Sequence, residues 1–148
     1  MVWKPRVTVA AIAERQGRFL MVEERVRNEI RFNQPAGHLE DAESLLDAVV
    51  RECLEETAWH FQPEAIVGVY RWRHPDSGDT FLRVTFCGSC CEHDTQRDLD
   101  SEIISAHWLS NDDIRSREQQ LRSPLVMRSL TDYRDGKRYP LELLTDID

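Results

Sequence analysis

The chain has 148 residues, of which 41% are hydrophobic and 31% are charged, and its formal net charge is −8. This length is sufficient for one hydrophobic core, and we predict a single domain over residues 1–148. The acidic balance argues against binding of a nucleic acid polymer, which needs a basic surface. Because no apolar run approaches a membrane span of roughly 20 residues and the N-terminus lacks a signal-peptide pattern, we expect a cytoplasmic protein without a membrane partner.

Five apolar or β-branched segments predict the strands of a mixed α/β layout. Residues 6–13 and 18–24 flank a turn and are predicted to pair as a hairpin. Residues 25–36 are polar and are predicted to be a connection without a strand. The remaining predicted strands are 65–73, 80–88 and 103–109.

The last part of the chain is predicted to be helical. Ser110 and Asp113 have the spacing of a capping box at a helix start. Ser123 is a predicted N-cap and Pro124 suits the first helical position, while Gly136 suits a residue just past a helix end.

Residues 43–57, between the two groups of strands, are predicted to form an amphipathic helix. One stripe is apolar and has the spacing of a face that packs into a core: Leu46, Val49, Val50 and Cys53. A second face carries three glutamates at positions i, i+3 and i+4: Glu52, Glu55 and Glu56.

These three glutamates destabilise the helix on which they lie. Like charges at i,i+4 destabilise a helix by roughly 0.2–0.5 kcal/mol per pair. The last turns of a helix also favour cations over anions. A divalent cation such as Mg²⁺ or Mn²⁺ would remove the conflict, because it prefers carboxylate oxygens. A solvated acidic face is the alternative, and the glutamates alone leave both interpretations open.

The four cysteines include one CxxC pair, formed by Cys87 and Cys90, with His93 nearby. No second pair has the spacing of a zinc ribbon or finger. We therefore interpret the cysteines as small side chains in and after a strand, in a reducing compartment, and not as zinc ligands.

Residues 37–59, GHLEDAESLLDAVVRECLEETAW, resemble the Nudix box, GX5EX7REUXEEXGU, in which U is a bulky apolar residue. The match covers the first glycine and every charged position: Gly37, Glu43, Arg51, Glu52, Glu55 and Glu56. Ala58 stands where the family has glycine. A left-handed residue at the helix end suits glycine and costs alanine about 1–2 kcal/mol, so the departure concerns the local turn and leaves the metal ligands in place.

The resemblance implies an α/β/α sandwich with a mixed central sheet, to which the box helix and the C-terminal helices belong. It implies Mg²⁺ as cofactor, with Mn²⁺ as a substitute, and assigns Gly37 a backbone carbonyl near the metal. It assigns Glu43 and Arg51 to holding the loop–helix–loop in shape. The metal ligands that it implies, one of them able to act as a base, are Glu52, Glu55 and Glu56.

Further candidate residues lie outside the box. Many Nudix enzymes supply another acid from a loop, and here we expect Asp100 or Glu102 as a metal ligand or base. Asn33 and Gln34 are expected at the mouth of the site, where they would contact a base edge or satisfy loop backbone. His38 follows Gly37 directly and is a candidate for phosphate contact or for an ordinary surface position.

Three stretches, KPRVTVAAIA, NQPAGHLE and the C-terminal LRSPLV with YRDGKRYPLELL, resemble the NudJ-type phosphatases among the Nudix hydrolases. This resemblance implies release of phosphate from nucleoside di- and triphosphates, hydroxymethylpyrimidine diphosphate and thiamine diphosphate. The C-terminal residues in which we expect selectivity are Arg122, Tyr133 and Arg138.

Two other functions stay open at this point. An ADP-ribose or dinucleotide polyphosphate pyrophosphohydrolase would cleave an internal bond. A non-catalytic ligand-binding module would result if Ala58 distorted the helix end. In every case the expected partner is a small phosphorylated molecule, and the residues do not decide between a monomer and a homodimer.

Overall fold

The computed structural model describes the whole chain, residues 1–148. Its strands are β1 (Arg6–Arg15), β2 (Arg18–Val26), β3 (Glu29–Asn33), β4 (Ala36–His38), β5 (Trp59–Arg73), β6 (Thr80–His93) and β7 (Ile103–Ser110). Its α-helices are α1 (Leu45–Thr57), α2 (Asn111–Ser116) and α3 (Pro124–Arg134). None of these helices combines the length and the apolar character needed to cross a membrane.

The sheet is mixed and is centred on β1. This strand runs parallel to β6 over eight paired residues, and antiparallel to the short β4. Strands β5 and β6 form a long antiparallel hairpin, and β2 pairs antiparallel with both β3 and β7. The resulting order is β3-β2-β1-β6-β5, with β4 joined to β1 and β7 joined to β2.

Helices cover both faces of this sheet. Alternate residues of β1 point to opposite sides, so Val9 packs with Val49 and Cys53 of α1, whereas Ile12 packs with Leu130 of α3. The α1 side and the α3 side each have a separate buried apolar cluster. The predicted α/β/α sandwich with a mixed central sheet is therefore confirmed.

One part of the strand prediction is wrong, and another is confirmed only next to a turn. Residues 25–36 contain β3 and the start of β4; β3 is a polar edge strand, and β4 has only three residues and no detectable period. The predicted hairpin of β1 and β2 pairs only next to its turn, with Glu14 opposite Phe19 and Arg15 opposite Arg18. Beyond that point β1 pairs with β4 and β6, and β2 pairs with β3 and β7.

The cysteines and the helix caps follow the predictions more closely. Cys87 packs on the α3 side and Cys90 on the α1 side, so the CxxC pair does not converge on one point. Ser110 and Asp113 form the capping box of α2, and Ser123 caps α3.

Candidate metal centre and substrate cleft

Helix α1 ends as the family pattern requires, although alanine replaces glycine there. Ala58 adopts the left-handed conformation, with φ of 63°, and its amide donates to the Leu54 carbonyl at 2.9 Å. The Ala58 methyl group is buried, which offsets part of the conformational cost. The helix therefore ends in a regular turn that Ala58 does not distort.

Three carboxylates converge beyond this helix end. One oxygen from each of Glu52, Glu55 and Asp100 lies within 4.8 Å of the other two. The Asp100 amide donates to the Glu55 carbonyl at 3.0 Å, and this bond holds the loop before β7 against α1. The geometry suits a hard divalent cation, because several carboxylate oxygens reach a common point.

Glu56 lies beside this cluster in a more enclosed position. Its side chain is buried, and Oε1 accepts a hydrogen bond from the Ala36 amide at 3.0 Å. Burial, reinforced by Glu52 and Glu24, raises the pKa of Glu56 to about 9. Burial also raises the pKa of Glu52 to about 7, against the opposing effect of Arg51. Crowded, desolvated carboxyls of this kind are a donor set that a bound cation would stabilise in the ionised form.

Arg51 connects most of the charged residues of this region. Its guanidinium donates two bonds to Glu43, at 3.0 and 2.7 Å, and one each to Glu52 at 2.8 Å and Glu55 at 2.9 Å. A further bond reaches the His38 carbonyl at 3.0 Å. Arg51 thus ties the loop before α1, the helix itself and β4 into one unit.

Gly37 allows the backbone of β4 to lie against the carboxyl group of Glu52. A Cβ atom added at Gly37 would lie 2.1 Å from Glu52 Cδ, closer than any real contact. The absence of a side chain at this position is therefore a requirement of the carboxylate arrangement.

The family model described as the NUDIX domain matches residues 3–130. The chain belongs to the Nudix hydrolase family. Phosphatase NudJ of Escherichia coli K12 is 40% identical over 147 residues, covering 99% of this chain and 95% of that protein. Phosphatase NudJ of Shigella sonnei matches with the same identity and coverage.

Solved Nudix structures share the fold. A NUDIX hydrolase from Nitrosomonas europaea superposes with a TM-score of 0.96 at 48% identity, covering 97% of this chain and 98% of that one. A MutT protein from Methanosarcina mazei superposes with a TM-score of 0.72 at 26% identity, covering 93% and 100% of the two chains. The chain is thus an enzyme of a family that acts on phosphorylated compounds.

The two acids that we expected from the loop outside the Nudix box differ in position. Asp100 joins the cluster, whereas Glu102 does not. Glu102 is exposed, and its backbone carbonyl accepts a bond from the Arg25 amide at 2.9 Å, which holds it along β2. The two acids differ because their backbones are held by different elements. Glu102 is bonded to Arg25 of β2, whereas Asp100 is bonded to Glu55 of α1.

Of the two roles expected for Gln34, the structure shows its side chain bonded to backbone and buried, with no open position at the mouth of the site. Gln34 is 2% exposed, and its Nε2 donates to the Val126 carbonyl at 3.0 Å and to Ser129 Oγ at 3.3 Å. The amide therefore fastens α3 to the sheet. The neighbouring Asn33 is also buried, so neither side chain stands open to solvent.

Tyr133 and Arg138 are also remote from the Nudix carboxylates. The Tyr133 hydroxyl donates to Glu14 at 2.8 Å, and the guanidinium of Arg138 lies 4.0 Å from the centre of the Tyr133 ring. Glu14 is six residues along β1 from Thr8, which pairs with His38. At a rise of about 3.3 Å per residue this separation is about 20 Å, so the two side chains do not reach the cluster.

His38 and Arg122 lie closer to the cluster. Partial burial, followed by the charges of Arg6 and Arg122, lowers the pKa of His38. Arg122 forms an ion pair with the buried Glu24 at 2.6 Å. One residue of this region, Glu24, escaped the sequence analysis because it lies in a strand outside any recognisable motif; alternation along the strand is the only signal that could have shown it to face inward.

Proposed function

We propose that the chain is a Mg²⁺-dependent phosphohydrolase that releases phosphate from small di- and triphosphates, with Mn²⁺ able to replace Mg²⁺. The observation that carries the proposal is the convergence of Glu52, Glu55 and Asp100 at the end of α1, with Glu56 buried beside them. When bound, the cation offsets the charge on the phosphoryl oxygens and makes a water molecule easier to deprotonate.

Residues of the chain are proposed to hold the cation and to fix the positions of its ligands. Glu52, Glu55 and Asp100 are proposed to hold the cation, with Glu56 as a further ligand and Gly37 offering its carbonyl. Arg51 neutralises part of the acidic charge and holds the loop before α1 through Glu43. This arrangement fixes the carboxylates before substrate arrives, which reduces the reorganisation needed during the reaction.

Glu55 is proposed to accept the proton of the attacking water. Its side chain is 29% exposed, compared with 11% for Glu52, so a water molecule reaches it more easily. Hydrolysis adds the hydroxyl of this water to phosphorus, breaks a phosphoanhydride bond and returns a proton to the leaving oxygen. Replacing Glu55 by Gln is expected to lower kcat by about 10²–10⁴-fold, the usual contribution of a general base.

The proposed substrates are those that the resemblance to the NudJ-type phosphatases implies, and they are more specific than the family alone indicates. They are nucleoside di- and triphosphates, hydroxymethylpyrimidine diphosphate and thiamine diphosphate. The test is a panel of these compounds, with ADP-ribose and a dinucleotide polyphosphate added, incubated with the protein in Mg²⁺ or in chelator. We expect metal-dependent release of orthophosphate from at least one compound of the first group.

The products of the same panel distinguish the alternatives. A nucleoside monophosphate from ADP-ribose or from the dinucleotide, without orthophosphate from the other compounds, would indicate internal cleavage instead. Tight calorimetric binding of a compound that stays intact after long incubation would indicate a binding module. Absence of both binding and turnover across the panel would overturn the proposal.

A further inference from the structure

Arg83 is a buried arginine whose hydrogen bonding is incomplete. It lies in β6, is 5% exposed and pairs across the sheet with Tyr70. Its two contacts are long and go to neutral acceptors: 3.5 Å to Gln34 Oε1 and 3.4 Å to Asn33 Oδ1. Its Nε has no partner. A buried guanidinium usually has an anionic partner, because an unpaired buried charge is costly.

The two acids whose charges act on Arg83 are not its anionic partners. Glu24 and Glu56 both act on the pKa of Arg83, but each carboxylate is bonded elsewhere. Glu24 pairs with Arg122, and Glu56 accepts from the Ala36 amide. In the proposed function Glu56 is also committed to the cation. Arg83 therefore has no anion of its own, and Arg122, a second cation whose charge acts on it, is already paired with Glu24.

The surroundings of Arg83 are short of acceptors, and a cleft lies further along the same hairpin. Thr85 lies two residues further along the same face of β6, and its buried hydroxyl also has no partner. That face of the β5–β6 hairpin carries Trp72, two residues from Tyr70. Together with Arg122 and Met127, Trp72 lines a cleft of about 500 Å³ between the sheet and the start of α3.

We propose that Arg83 binds an anionic phosphate oxygen of the substrate and so determines its affinity for phosphorylated compounds. A phosphate supplies the charge and the acceptors that Arg83 lacks, and a guanidinium is suited to bind it through two N–H groups. Arg122 supplies a second positive charge on the same side. The inference rests on the proposed function for the nature of the substrate, and it makes Arg83 a binding residue on the opposite side of the substrate from the carboxylates.

The test measures anion binding without turnover. Imidodiphosphate, a diphosphate analogue with nitrogen in the bridge, is titrated calorimetrically into the full-length protein in saturating Mg²⁺. The variants are Arg83→Gln and Arg83→Lys, and the matched control is Arg71→Gln, which changes an exposed arginine of the same hairpin. Melting temperatures are measured for all four proteins without the anion.

We expect Arg83→Gln to weaken binding at least about tenfold, the usual effect of losing one charge-assisted hydrogen bond. Arg83→Lys should lose less affinity than Arg83→Gln, because lysine keeps the charge but not the bidentate geometry of the guanidinium. The melting temperature of Arg83→Gln should equal or exceed that of the unmodified chain, since an unpaired buried cation contributes no stability. Arg71→Gln should change neither quantity.

Unchanged affinity in Arg83→Gln would overturn the inference. A lowered melting temperature in both Arg83 variants, with the affinity of the folded fraction preserved, would show that the residue is structural and would overturn it as well. If the substrate panel shows no turnover but the Arg83 variants still lose imidodiphosphate binding, the proposed function fails and the anion subsite stands.

Discussion

Glu56 is the residue whose environment is most unfavourable without a cation. Its folded-state pKa of about 9 lies above the ordinary value of 4.5, so the folded protein favours the protonated carboxyl. The corresponding stability is fully present below about pH 4.5 and is lost as the pH rises towards 9. The metal-free protein should therefore become less stable across this window.

Replacing Glu56 by Gln removes this pH-dependent loss. The amide keeps an acceptor for the Ala36 amide and carries no charge, so in chelator at pH 8 we expect a higher melting temperature than for the unmodified chain. A gain of about 1 kcal/mol corresponds to roughly 2–4 °C for a protein of this size. Phosphate release should be largely lost in the same variant.

Thermal unfolding at pH 5 and pH 8, in chelator and in Mg²⁺, checks this prediction. The advantage of the variant should grow with pH in chelator and should disappear in saturating Mg²⁺. An equal effect at both pH values would mean that Glu56 is already solvated and ionised.

Asp100 and Glu102 form a matched pair of acids from one loop. Only Asp100 reaches the carboxylate cluster, so Asp100→Asn should raise the Mg²⁺ concentration for half-maximal activity roughly tenfold, equivalent to about 1.4 kcal/mol. Glu102→Gln should leave that concentration unchanged. A steady-state Mg²⁺ titration of both variants measures this concentration. A larger effect of Glu102→Gln than of Asp100→Asn would show that the loop adopts another arrangement in the active enzyme.

At the level of elements, α1 acts together with the loop before it and with β4. The four side-chain bonds of Arg51 to glutamates are directional and two of them form a fork on Glu43, which lysine cannot reproduce. Arg51→Lys should therefore misplace Glu52 and Glu55 and weaken metal affinity by about 10–100-fold, as is typical of residues that orient metal ligands.

Isothermal titration with Mn²⁺ measures the effect of Arg51→Lys, and circular dichroism of the same sample shows whether α1 is retained. A suitable control is Glu40→Gln, which removes an exposed acid that also lies near Arg51. Wild-type affinity in Arg51→Lys would contradict the proposed orienting role.

Structure is predictable from the sequence where local patterns determine it. The 3.6-residue period of Val49 and Cys53 and the capping residues Ser110 and Ser123 all depend on neighbours within a few positions, and the corresponding helices are present. Strands β3 and β4 escaped prediction because pairing with β2 and β1 orders them, and their own composition does not.

In the candidate site, too, local spacing is predictable from the sequence and tertiary contacts are not. The spacing within the Nudix box places Glu52, Glu55 and Glu56 at one helix end, but it carries no information on which loop acid approaches them. Asp100 and Glu102 are indistinguishable by composition and differ only in tertiary register. Gln34 illustrates the converse case, because its position beside the box suggested a contact with substrate, and the packing of α3 buries it instead.

For the molecule as a whole, the proposed metal site and the proposed anion subsite lie on different sides of the sheet. The α1 side carries the carboxylates at its edge, while the α3 side carries Arg83 and the cleft lined by Trp72 and Arg122. In our account a phosphorylated substrate bridges the two, with anionic oxygens between the cation and the arginines. The acidic net charge of −8 is compatible with such a substrate because the positive groups are local.

The account depends most directly on a cation bound by Glu52, Glu55 and Asp100. The decisive measurement is a titration of the full-length protein with Mn²⁺, in which electron paramagnetic resonance reports the free ion, for the unmodified chain and for Glu52→Gln. We predict saturable binding by the unmodified chain and an affinity at least about tenfold lower in the variant, a loss of about 1.4 kcal/mol or more. Equal Mn²⁺ affinity in the two proteins would contradict the account.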